Sequence, residues 1–151
     1  MRWLWVDRFL AFEPGRSARA VKNVTYAEEH LSDHFPGYPI VPGVLLVEMI
    51  AQAGGKCLMA GIDRTQWPIL LQVTRANFRK TVTPGTTVRI EVTIGSCNKV
   101  TASAQGFITC ENARVADSSI IYGFIPKDLL TANFEDEVLR NYLAKRGARP
   151  R

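Results

Sequence analysis

Residues 33–49 read DHFPGYPIVPGVLLVEM, and this stretch decides the fold. Its first eleven residues hold three prolines and two glycines around His34. That composition resists the interior of a helix or a strand. From Val44 the chain turns apolar, free of glycine and proline as far as Ala53, and almost free of β-branching after Ile50. The segment 44–60 is too long for a buried strand, so its length predicts a helix. It is apolar on nearly every face, as a helix enclosed by the rest of the protein must be. Gly61 is the expected stop.

The segments around this helix are strand-like. Trp3–Phe12 is apolar-rich and ends in the turn signal Glu13-Pro14-Gly15-Arg16, after which Ala18–Thr25 is rich in β-branched residues. Together they predict a hairpin, with a first arm that could be partly helical. Downstream, four strands are expected at Ile69–Val82, Thr87–Gly95, Val100–Cys110 and Ala113–Ile125. Short polar turns between consecutive strands imply antiparallel pairing. About six antiparallel strands and one apolar helix predict an α+β domain, a strongly curved sheet wrapped around a central helix. That domain covers 1–126. The remainder, 127–151, is an extension of the same domain: Asn133 and Asp136 suggest a cap, and Phe134, Val138, Leu139, Tyr142 and Leu143 form one stripe closed by Gly147.

The 151 residues suffice for one domain with a real core. Three scattered cysteines, Cys57, Cys97 and Cys110, argue against a disulfide framework or a zinc site and fit a reducing cytoplasm. Glu48 and Gln52 make the apolar segment a poor membrane span, and WLWV at 3–6 is too short for a secretory signal. The net charge of +5 favours an anionic partner, although four of the cations lie in the terminal KRGARPR. A nucleic-acid binder would interleave exposed aromatics with its basic residues; here the aromatics fall in core-like segments.

Chemistry concentrates near the loop–helix junction. Pro36, Pro39 and Pro42 fix three φ angles around His34, and a loop so braced preorganises a general base. Between Val44 and Gly55 the only charge is Glu48, and the only other polar side chain is Gln52, one turn later on the same face. A glutamate sealed in hydrocarbon has its charged form disfavoured. It can then stay protonated near neutrality and act as an acid opposite a neutral histidine. Gly43 stands where the first backbone N–H groups of the helix lack intrahelical partners, the position of an oxyanion donor. Base, acid and donor describe proton abstraction beside a carbonyl with loss of a β-hydroxyl.

The run HFPGYPIVPGVLLVEMIAQ, 34–52, closely resembles the signature of the β-hydroxyacyl-acyl carrier protein dehydratases of fatty acid synthesis, and VDRFLAFEPG (6–15), VKNVT (21–25) and RANFRKTVTPG (75–85) extend the resemblance over most of 4–125. It implies a hot-dog fold, with His34 and Glu48 as the catalytic pair, contributed by opposite subunits of a homodimer. It implies that the Gly43 N–H meets the thioester carbonyl, with Val41 and Gln52 beside it as substrate-binding residues. Glutamate at 48 resembles the branch that dehydrates without isomerising. The partner implied is an acyl carrier protein in the cytoplasm, with a trimer of dimers as the larger assembly and no metal or organic cofactor. Arg75, Arg79 and Lys80 form a basic cluster suited to docking that acidic carrier. Thr74 and Asn77 depart from the family pattern, which has aspartate and arginine there. The rival readings are a hot-dog thioesterase, a (3R)-enoyl-CoA hydratase and a non-catalytic module that binds the carrier protein.

Overall fold

The computed structural model describes residues 3–62, 65–129 and 137–145. Six strands form one antiparallel sheet: β1 (Arg8–Glu13), β2 (Ser17–Asn23), β3 (Gln66–Phe78), β4 (Thr87–Cys97), β5 (Thr101–Cys110) and β6 (Ala113–Pro126). Their spatial order is β1-β2-β4-β5-β6-β3, so β3 crosses from the helix to the far edge beside β6. The long helix α1 (Gly43–Gly61) lies against the sheet's concave face, and a second helix, α2 (Glu137–Lys145), packs on β1.

Alternation explains which face receives α1. Val88, Ile90, Val92 and Ile94 of β4 point inward and are buried, and Ala102, Ala104 and Ile108 of β5 continue that face. The small inward residues of β5 leave a trough for the helix: a Cβ built on Gly106 would stand 2.5 Å from the Ile50 side chain. The Tyr122 hydroxyl of β6 donates to the Ala51 carbonyl of α1 at 2.7 Å, a buried bond between the two layers. Twelve of the nineteen residues of α1 are buried. The helix has the length and hydropathy of a membrane span, but those residues form the protein core.

The α+β layout matches the expectation, with differences at element ends. The first hairpin arm begins only at Arg8, not Trp3. Upstream, the Trp5 N–H is taken by the Gln52 side chain rather than by a neighbouring strand. Strand β3 starts at Gln66 and ends at Phe78. Val82, expected within it, lies beyond, where its carbonyl accepts from Val41 N–H at 2.8 Å. Helix α1 does stop at Gly61, but by close approach rather than a left-handed cap: a Cβ there would lie 2.4 Å from Gly15 Cα. The β1–β2 turn presses on the helix end, and Gly15 N–H donates to the Cys57 carbonyl. In α2, Tyr142 packs on Phe9 and Phe12 at 5.6 and 5.3 Å, and Val138 is buried. Asn133, Phe134, Asp136 and Gly147, assigned to the stripe and its ends, lie outside the described residues.

Candidate active site

The loop before α1 folds as a small hairpin of its own. Phe35 and Tyr38 exchange backbone hydrogen bonds of 3.1 and 2.9 Å around Pro36-Gly37, and Ile40 N–H donates to the His34 carbonyl at 2.9 Å. Gly37 has φ +77°. Proline followed by a positive-φ glycine is the pairing a type II turn requires. Leu31, at the end of a one-turn 3-10 helix, anchors the loop's start in the core.

This turn holds the His34 ring. Its Nδ1 lies 3.2 Å from the Ile40 carbonyl oxygen, and its face stacks on Phe35 at 4.3 Å. A carbonyl only accepts, so Nδ1 carries the proton. In the neutral ring the lone pair then sits on Nε2, which fixes the tautomer a base needs. His30 differs. Both its ring nitrogens are buried without a hydrogen-bond partner, it packs edge-on against Trp5 at 5.1 Å, and burial pushes its pKa down against the opposing pull of Glu28.

Glu48 lies on the face of α1 turned toward the N-terminal segment. It is half-buried, which corrects the expectation of a carboxyl sealed in hydrocarbon. Among the described residues, Trp3 and Trp5 reach that side of the helix by hydrogen bonds to Glu48 and Gln52. Two donors converge on one of its oxygens, Oε1: the Gln52 amide at 2.9 Å and the Trp3 indole N–H at 3.0 Å. The Trp5 backbone N–H donates to Gln52 Oε1 at 2.8 Å, which makes that atom the amide oxygen and turns the NH₂ toward Glu48.

The remaining candidates occupy distinct surroundings. Gly43 opens α1 after Pro42, which supplies no side-chain cap, and the exposed Phe78 ring covers it, 3.0 Å from where a Cβ would stand. The N–H of Val41 is already bonded to Val82. On the outer side of β3 and β6, Arg75 and Arg79 converge on Asp117, as does Asn77, whose amide donates at 2.7 Å. These hydrogen bonds, that of Asn77 foremost, hold the Asp117 carboxyl well below its usual range, at about 2. Thr74 bonds the Ser119 carbonyl, and Lys80 is exposed. Sequence reasoning missed Trp3 and Asp117. Nothing local marks either, because their partners lie 45 and about 40 positions away. Among the described residues no three His, Cys, Asp or Glu side chains gather as metal ligands.

Residues 1–123 match the model of the FabA-like domain. The chain belongs to the FabA-like family. Among curated members, a 3-hydroxyacyl-[acyl-carrier-protein] dehydratase FabZ of Koribacter versatilis is 36% identical over 126 residues, covering 82% of this chain and 81% of that one. The FabZ of Ehrlichia canis is 38% identical over 123 residues, covering 79% and 83%. Solved structures place this FabA-like chain among hot-dog folds. A Pseudomonas aeruginosa thioesterase variant superposes with TM-score 0.64 at 17% identity over 79% of this chain and 81% of that one. The dehydratase heterocomplex ApeI:P of Xenorhabdus doucetiae gives TM-score 0.60 at 14% identity, covering 76% and 96%. At such identities the structural likeness concerns the fold alone.

Proposed function

We propose that this FabA-like protein is a 3-hydroxyacyl-[acyl-carrier-protein] dehydratase of fatty acid synthesis, acting in the cytoplasm. The observation that carries the reading is the fixed His34 tautomer, Nδ1–H on the Ile40 carbonyl and a lone pair on Nε2, in a chain about 36% identical to FabZ dehydratases. His34 Nε2 takes the C2 proton of a (3R)-hydroxyacyl thioester, and the electron pair moves toward the thioester oxygen. The Gly43 N–H at the head of α1 stabilises that oxygen. Glu48 then gives its proton to the C3 hydroxyl, which leaves as water to yield the trans-2-enoyl product. Histidine gains one proton and glutamate loses one, so the pair resets through solvent after release. Val41 contributes to the substrate wall rather than as a donor, and Gln52 acts on Glu48.

A homodimer supports this chemistry. Strand β3 is a thirteen-residue edge strand, and Leu70, Leu71, Val73 and Phe78 are 40, 56, 42 and 52% exposed in the single chain. A long apolar edge is a pairing surface, and a second copy aligned β3 to β3 would cover it, bringing one subunit's His34 to the other's Glu48. Such dimers can assemble further by threes. Arg75 and Arg79, held by Asp117 with Lys80 nearby, present fixed cations to an acidic carrier protein.

The test is dehydration of 3-hydroxyacyl carrier protein, followed as loss of one water by mass. Each group contributes ~10²–10⁴-fold, so His34→Ala and Glu48→Gln should nearly abolish turnover in folded dimers. Near-normal rates in Glu48→Gln, or hydrolysis to the free thiol instead of dehydration, would reject the reading.

A further inference from the structure

Trp3 is 57% exposed in the single chain, yet its place is closely determined. Its ring meets the buried Trp5 ring edge-on at 5.5 Å and 83°. The Trp5 backbone N–H is in turn bonded to the Gln52 side-chain oxygen, and the Gln52 NH₂ also reaches the Trp3 carbonyl at 3.4 Å. A closed circuit results: Trp5 orients Gln52, Gln52 and the indole of Trp3 both donate to Glu48 Oε1, and the short segment 3–5 joins the two tryptophans. We infer that Trp3, with Gln52, is a positioning residue that dictates which oxygen of Glu48 carries the catalytic proton. The inference rests on the reading of Glu48 as the acid.

The chemistry is that of a carboxyl group with two faces. When the acid is neutral, the oxygen that accepts from two N–H donors is its carbonyl oxygen, the stronger acceptor of the two. In the protonated form that the proposed mechanism uses, the proton is then on Oε2, aimed away from the Trp3–Gln52 pair. Once it has been delivered, the same two donors stabilise the charge left behind. Among large apolar side chains only tryptophan supplies such an N–H donor. Phenylalanine would fill the space and leave the Gln52 amide as the one remaining donor of the pair on Oε1, so the orientation of the carboxyl is held less firmly.

Trp3→Phe keeps the ring and removes the donor. Loss of one hydrogen bond used in the reacting state should lower kcat ~2–10-fold with KM and melting temperature unchanged. The bond itself is read by ¹H–¹⁵N spectra of the full chain, which holds three tryptophans, with Trp3→Phe identifying the Trp3 indole peak. In Glu48→Ala that peak should move and its proton exchange with solvent faster, while the Trp67 indole peak stays fixed. An unmoved Trp3 peak in Glu48→Ala, or wild-type kcat in Trp3→Phe, would overturn the assignment. Full turnover in Glu48→Gln alongside a moved Trp3 peak would instead show a real hydrogen bond to a residue that is not the acid, which overturns the proton-directing role separately.

Discussion

Two adjacent glycines of α1 should respond to the same substitution with opposite signs. A Cβ on Gly54 would lie 2.4 Å from the Tyr122 hydroxyl and 3.2 Å from Val92, whereas one on Gly55 would meet only Tyr122 Cε1 at 3.7 Å, an ordinary contact. Gly54→Ala must therefore push Tyr122 aside. It would break the buried 2.7 Å bond from that hydroxyl to the Ala51 carbonyl, worth ~1–3 kcal/mol, and overpack the helix–sheet seam at ~1–3 kcal/mol more. The better helix propensity of alanine returns ~1 kcal/mol. The net is about 3 kcal/mol of destabilisation, which for a chain of this size lowers Tm by roughly 6–12 °C. Gly55→Ala keeps the propensity gain without the clash, so its Tm should rise by ~2–4 °C. Calorimetry of both variants, with Tyr122→Phe alone and combined with Gly54→Ala, completes the cycle. Because phenylalanine removes the clashing oxygen, the double variant should be more stable than the sum of the singles. Equal shifts for the two glycines, or strict additivity in the cycle, would refute this account of the seam.

The acid limb of stability should belong partly to Asp117. Its folded pKa of about 2 lies below the ordinary carboxylate value, so its contribution is complete above the ordinary value and is lost as pH falls through about 2. Asp117→Asn should flatten the loss between pH 4 and 2, and at pH 7 should cost about 1–2 kcal/mol in urea unfolding, reduced by the exposure of both arginines; an unchanged acid limb counts against it. Burial raises the Cys57 thiol to about 11, while Cys97 is exposed. A thiol reagent at pH 8 should therefore modify Cys97 at once and Cys57 only after denaturation, and rapid native labelling of Cys57 would contradict its packing.

Much of this architecture is legible in the sequence because local rules and the global fold agree. Pro36-Gly37 signals its turn, Val88, Ile90, Val92 and Ile94 announce a half-buried strand, and a uniformly apolar run long enough for five turns has to be a core helix. His34 and Glu48 stand out for the same reason, as polar groups inside segments that otherwise specify only shape. What stays hidden depends on contacts between distant positions. The tautomer of His34 is set by a carbonyl six residues on, and Trp3 reads as hydrophobic until the fold brings it to Glu48. Arg75 and Arg79 read as free surface charge because Asp117, their shared anchor, comes from the neighbouring strand. The expected start of β1 is too early because the apolar residues 3–5 serve α1 through Gln52 rather than the sheet.

Subunit complementation tests the shared site most directly. Inactive His34→Ala and inactive Glu48→Gln proteins are mixed under conditions where subunit exchange is verified by mass. In a mixed dimer both lesions fall in one site and the other is intact. Half of the dimers are mixed and each has one working site of two, so the mixture should recover about a quarter of wild-type dehydration activity. Activity no greater than that of the separate variants, despite demonstrated exchange, would contradict an active site built from two chains.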